Sequence, residues 1–159
     1  METYPITPKG HAKLKEELNR LKNVERPKIS KEIGAARELG DLSENFEYHA
    51  AKDKQGLVEA KIRDLEDKLA RAEVIDISKL SGERVVFGAT VDLLDVDSEE
   101  ERSFQIVGEV EADVENGRIS ISSPLARAVI GKEVGDEVRV PGKGGPRICE
   151  ISEVRFEDT

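Results

Sequence analysis

Between Glu38 and Glu47 the chain reads Glu-Leu-Gly-Asp-Leu-Ser-Glu-Asn-Phe-Glu, four acids and no base. Asp41 and Glu44 are three residues apart where a turn opens a helix, so their oxygens can converge. Two convergent carboxylates suit Mg²⁺, a hard cation that keeps several waters and takes few protein ligands. By themselves they bind it weakly; ligands from a second macromolecule would complete the site. Acids at this position also have a plainer use, because the helix macrodipole favours negative charge at an N-terminus and Asp41 or Ser43 can act as a cap. Spacing alone leaves both uses open.

The elements that must hold these acids are helical. Thr7-Pro8 is a helix opening, with Thr as N-cap and Pro at the first helical position. Leu14, Leu18 and Leu21 follow at helical spacing, and the stripe resumes at Ile29, Ile33 and Ala36 after a slip near Glu25 that resembles a stutter. Pro27 lies inside this pattern and is expected to bend the helix without ending it. Gly40 supplies the stop. A second stripe runs Phe46, Ala50, Val58, Ile62, Leu65, Leu69 and Ala72, its later members forming a heptad seam. With so short a link between stripes, the arms must be antiparallel. Leu14/Leu69, Leu18/Leu65, Leu21/Ile62 and Ile33/Ala50 share the index sum 83, which predicts one facing register. Arms of roughly 30 residues give a hairpin on the order of 45–50 Å long.

Residues 9–31 carry eight Lys/Arg against three Glu, so the first arm is basic below an acidic turn. That arrangement suits a phosphate-lined or acidic channel, although charged residues along a coiled coil are also an ordinary solvated face.

Composition changes after the hairpin. The 159 residues carry a net charge of −9; residues 1–78 contribute −1 and residues 79–159 contribute −8, and nine of the 13 glycines lie in the second part. Val85–Leu94, Ser103–Gly108, Arg118–Ser122, Glu137–Val140 and Arg147–Phe156 alternate as strands, with Asn116-Gly117 as a turn signal. Ser123-Pro124 opens a short helix over Leu125–Ile130. The expectation is an α+β chain: a long antiparallel coiled-coil hairpin over 1–76 with its acidic tip at 38–47, a linker over 77–83, and a small antiparallel β-sheet domain with one short helix over 84–159.

Other classes are disfavoured. One cysteine excludes an internal disulfide framework and a multi-cysteine zinc site. The acidic balance argues against general DNA coating. METYPITPKGH lacks the apolar stretch of a signal peptide, and no long apolar run predicts a membrane span, so a cytoplasmic protein is expected. Cys149 reads as a core residue, His11 and His49 as bystanders, and Gly142–Gly145 as a hairpin loop without phosphate-loop spacing.

The run Ala36-Arg37-Glu38-Leu39-Gly40-Asp41-Leu42-Ser43-Glu44-Asn45, continuing Glu47-Tyr48-His49-Ala50-Ala51-Lys52, resembles the tip signature of the Gre transcript-cleavage factors of bacterial RNA polymerase. TPKGHAKLKEEL, VIDISKL, VVFGATV and SSPLARAVIGKEVGDEV extend that resemblance along the chain. It implies an FKBP-like second domain docking at the rim of the polymerase secondary channel, and a hairpin entering that channel. Asp41 and Glu44 would then help hold a Mg²⁺ shared with the polymerase, with no cofactor in the free protein. The polymerase's own centre would cut backtracked RNA, and the factor alone would be no nuclease. Arg37 and Lys52 match basic positions the family uses toward RNA, and Asn45 and Tyr48 are further candidates for RNA or polymerase contact. Ser43 and Phe46 depart from the smaller or more polar residues expected there. The competing readings are a channel binder that inhibits transcription and a non-catalytic coiled-coil adaptor or chaperone. Prolyl isomerisation rests on fold analogy alone and is disfavoured by the scarcity of aromatic residues after residue 78.

Overall fold

The computed structural model describes residues 2–41 and 44–157. The chain forms two compact units. One runs Ala12–Arg71; the other joins the chain up to His11 with the chain from Ala72 onward. This division differs from a hairpin domain over 1–76. The reason is a pair of short strands, β1 (Tyr4–Ile6) and β2 (Ala72–Val74), which run parallel with Tyr4 opposite Ala72 and Ile6 opposite Val74. Three-residue strands beside a proline carry too little periodicity to be read from sequence.

The helical unit is built from α1 (Pro8–Arg20), a π-helical turn (Leu21–Glu25), α2 (Arg26–Arg37) and α3 (Phe46–Arg71). Pro27 explains the π turn. In a regular helix its ring would press on the Asn23 carbonyl and leave it without a donor. The helix widens just before it, with the Arg26 amide donating to the Leu21 carbonyl, a local adjustment that accommodates the ring without ending the helix. The slip near Glu25 is therefore a one-residue insertion and not a stutter.

That insertion shifts the seam. Leu21, Ile62 and Leu65 are buried together, with Leu14, Leu18 and Val58 against them, and Leu21 facing Ile62 keeps the sum 83. Beyond the π turn Ile29, Ile33 and Ala51 pack with Tyr48 and Val58. The partner of Ile33 is Ala51, sum 84, and the expected Ile33/Ala50 pair is corrected: Ala50 is exposed. Phe46 likewise leaves the seam, at 87% exposure. Between the arms, Lys22–Glu66 (3.1 Å), Arg26–Glu59 (2.9 Å) and Glu32–Lys54 (3.7 Å) form exposed ion pairs. Such pairs contribute at most about 1 kcal/mol each and chiefly favour one register.

The other unit holds a five-stranded sheet in the order β5-β4-β3-β7-β6. Its strands are β3 (Thr90–Asp95), β4 (Glu101–Val107), β5 (Arg118–Ser120), β6 (Glu137–Val140) and β7 (Arg147–Arg155). All pairings are antiparallel except β4 with β5, which is parallel. Asn116-Gly117 does turn the chain, with Gly117 at φ +71°, yet it does not close a β4–β5 hairpin. Helix α4 (Pro124–Val129) is capped by Ser123, whose hydroxyl accepts the Ala126 amide at 3.2 Å. Ala126 and Val129 join Val91, Leu93, Ile106, Ile151 and Cys149 in the core. The expected strand from Val85 starts instead at Thr90. Val85 is fully buried but exchanges backbone bonds with Lys132 and Gly131.

A buried polar knot anchors the first residues of the chain in this unit. Thr7 caps α1, its hydroxyl accepting the Gly10 amide at 3.0 Å. The Glu111 carboxylate accepts from the Thr7 amide (2.8 Å), the Thr7 hydroxyl, the Gly108 amide (3.0 Å) and Arg118 (2.7 Å). Arg118 also donates to Gln105 at 2.8 Å. With side-chain exposures of 9% and 4%, Arg118 and Glu111 are a buried pair whose acceptors and donors are met. A Cβ on Gly10 would stand 2.1 Å from Glu111 Oε1, so the knot requires glycine there.

Candidate functional site: the hairpin turn

Helix α2 ends on tightened bonds, the Glu38 amide donating to the Ala35 carbonyl (3.3 Å) and the Leu39 amide to Ala36 (3.1 Å). Gly40 then takes φ +128°, a conformation that side chains oppose. Asp41 and Glu44 are both exposed, and the Glu44 amide donates to the Asp41 carbonyl at 3.3 Å. This i to i+3 bond brackets Leu42 and Ser43, which lie outside the described residues, as does any capping role for Ser43.

Asn45 is the residue that ties the turn. Its Oδ1 accepts the Tyr48 amide at 3.0 Å, making it the cap of α3, and its Nδ2 donates to the Ala36 carbonyl in the last turn of α2. The cap is therefore Asn45 and not Asp41. One side chain fastens the end of one arm to the beginning of the other, and both of its polar atoms are used inside the turn. The signal was available in the sequence: Asn is a preferred cap residue directly before a helical stripe.

The remaining candidates flank this fastening. The Arg37 guanidinium lies 5.9 Å from the Tyr48 ring centroid, within cation–π range, and Tyr48 meets His49 edge to face at 5.5 Å. Lys52 is exposed and donates to Gln55 at 3.2 Å. Leu39 is 65% exposed. Along the first arm, part of the basic charge is answered within the hairpin. Arg20 binds Glu17 and Glu25, and the hydrogen bond from Arg20 holds the Glu17 carboxyl below its ordinary range.

As a metal site the turn offers Asp41 and Glu44, solvent-facing and on one backbone-bonded turn. That donor set fits a hard divalent cation whose other positions come from elsewhere. Among the described residues no group of three or more His, Cys, Asp or Glu side chains could hold a metal alone, and no helix is long and apolar enough to cross a membrane.

Known proteins resemble this chain over nearly its whole length. The family described as "Transcription elongation factor, N-terminal" matches residues 4–74, and "Transcription elongation factor, GreA/GreB, C-term" matches residues 80–156. Transcription elongation factor GreA of Phenylobacterium zucineum is 59% identical over 156 residues, covering 98% of this chain and 99% of that protein. GreA of Beijerinckia indica is 58% identical over 157 residues, 99% of this chain and 100% of that one. Among solved structures, GreA factor homolog 1 (Gfh1) of Thermus thermophilus is 30% identical, with a TM-score of 0.44 over 98% of this chain and 99% of that one. Two domain matches that divide the chain between them, with relatives close to 60% identical from end to end, show that the chain belongs to the GreA/GreB family of transcription elongation factors.

Proposed function

We propose that this chain is an accessory factor of bacterial RNA polymerase that enters the secondary channel hairpin first and stimulates the polymerase's own cleavage of backtracked RNA. The observation that carries the reading is the presentation of two exposed carboxylates, Asp41 and Glu44, on a turn whose backbone is fastened by Asn45. Both carboxylates would serve as ligands to a Mg²⁺ shared with the polymerase. The chemistry supplied by that ion when bound is acidification of water and neutralisation of charge at the scissile phosphodiester. Asn45 ties the end of α2 to the start of α3 on either side of the acids, which would limit the ordering cost of assembling a site from two proteins. Arg37 and Lys52 bring positive charge beside an acidic tip and would face the RNA 3′ end, with Tyr48 holding Arg37 in place. Such a factor carries no nuclease activity alone and works in the cytoplasm with the polymerase.

The test uses polymerase complexes stalled on backtracked RNA. Asp41→Ala and Glu44→Ala are each expected to lower stimulated cleavage by about 10²-fold, the scale of losing one preorganised electrostatic contact at a reacting centre, while polymerase binding persists. Equal cleavage by wild type and both variants refutes the tip mechanism. Binding by the wild type without any cleavage supports the inhibitory reading instead.

A further inference from the structure

A groove of about 250 Å³ lies on one flank of the helical hairpin, remote in sequence from the tip acids and lined by residues of both arms. Its floor is aliphatic, formed by Ile29, Leu57 and Val58. Leu57 is 67% exposed in the interior of α3, where a leucine adds little to the seam and leaves apolar surface in water. Four of the charged residues at the rim divide into two pairs with different fates. Glu25 is bound by Arg20 and Glu32 by Lys54, so both acids are already answered. Lys28 from α2 and Lys61 from α3 make no ion pair or hydrogen bond among the described residues, Lys61 acting only at a distance on Glu17, which Arg20 already holds. The groove thus presents an exposed aliphatic floor between two cations from opposite arms, in a chain whose net charge is −9.

We infer that this groove seats a segment of the polymerase that carries an aliphatic side chain next to one or two carboxylates. The apolar side chain would cover Leu57, and the carboxylates would pair with Lys28 and Lys61. Because it names the polymerase, the inference rests on the function proposed above and adds a second, lateral contact to it. The lining favours protein over RNA. It contains no aromatic ring on which a base could stack.

The full chain with p-benzoylphenylalanine at position 57 is irradiated in a stalled polymerase complex carrying labelled RNA. The expected crosslink is to a polymerase subunit, at a peptide containing Asp or Glu. A crosslink to RNA, or none above that of the same group placed at the exposed Val114, overturns the assignment. In parallel, polymerase affinity is measured for Leu57→Ser and for Lys28→Glu/Lys61→Glu. Each is expected to bind about three- to tenfold more weakly, the double variant losing its dependence on salt. Stimulated cleavage at saturating factor should be unchanged, since Asp41 and Glu44 are intact. Leu57 is exposed, so unchanged thermal unfolding of Leu57→Ser is expected and ties its loss to binding. Wild-type cleavage with unaltered affinity of both variants removes only the groove; failure of the wild type to bind polymerase removes the proposed function and the groove together.

Discussion

Replacing Asn45 by alanine separates the fastening of the turn from the acids it presents. The substitution removes the α3 cap, which is worth about 1 kcal/mol. It also removes the side-chain donor to the Ala36 carbonyl, which keeps the Leu39 amide, so the loss is that of one ordinary hydrogen bond, about 0.5–1.5 kcal/mol. Together these give about 1.5–2.5 kcal/mol against the closed turn, or roughly 10- to 60-fold more frequent local opening at 1.4 kcal/mol per factor of ten. Amide hydrogen exchange reads this directly: the Tyr48 and His49 amides should lose protection by that factor, while the amides of Ile62 and Leu65 in the buried seam keep theirs. Asn45→Asp retains an acceptor for Tyr48 and loses only the donor, so it should fall between wild type and alanine. In the cleavage assay Asn45→Ala should lower activity at saturating factor while Asp41 and Glu44 remain. Tyr48 exchange unchanged in Asn45→Ala, or Asp and Ala variants indistinguishable, would refute the reasoning.

The buried knot gives two further expectations. Glu111→Ala leaves Arg118 without its buried partner and should destabilise the β-sheet unit by about 3–5 kcal/mol, seen as a lower urea midpoint by circular dichroism. Gly10→Ala pushes a methyl group onto the same carboxylate and should cost about 1–3 kcal/mol in that measurement. Asp95 supplies a pH test. The hydrogen bond from Arg147, with the Ser98 and Asp97 amides, holds its carboxyl far below the usual aspartate range. A lowered folded value means that its stabilisation is complete above about pH 4, near the unfolded value, and is lost as pH falls toward the folded one. Carboxyl carbon shifts should show Asp95 still ionised at pH 3, and Arg147→Ala should move its titration up toward the ordinary range.

The long elements are legible in the sequence because their periodicity repeats. The heptad from Val58 to Leu69 fixes the second arm, and Leu21 opposite Ile62 follows from it. The exchange of Ala50 for Ala51 at Ile33 was not legible, because proline reports a disturbance without saying whether the helix will kink, end or widen. Short elements were lost for a related reason: β1 and β2 hold three residues each, and Val85 is as buried as a strand residue while bonded to Gly131 and Lys132 beyond the end of α4. At the turn, the exposure of Asp41 and Glu44 follows from the absence of any apolar layer to cover them. The double use of Asn45 depends on how closely the Ala36 carbonyl approaches across the turn, which spacing does not encode. The Thr7–Glu111–Arg118 knot joins residues more than a hundred positions apart, beyond any local pattern.

Because β1 and β2 lie side by side, the chain leading into the helical segment Ala12–Arg71 and the chain leading out of it are strand partners within the β-sheet unit. Topologically the two-helix segment is an insertion into a host whose own chain is continuous in space across the gap, the arrangement most tolerant of length change. Adding or removing a matched heptad on each arm would alter the hairpin by about 10 Å at 1.5 Å per residue while leaving the host's hydrogen bonds untouched. A change in the length of this cassette therefore needs no compensating substitutions in the sheet, and the same two strands offer a ready graft point for a foreign coiled coil.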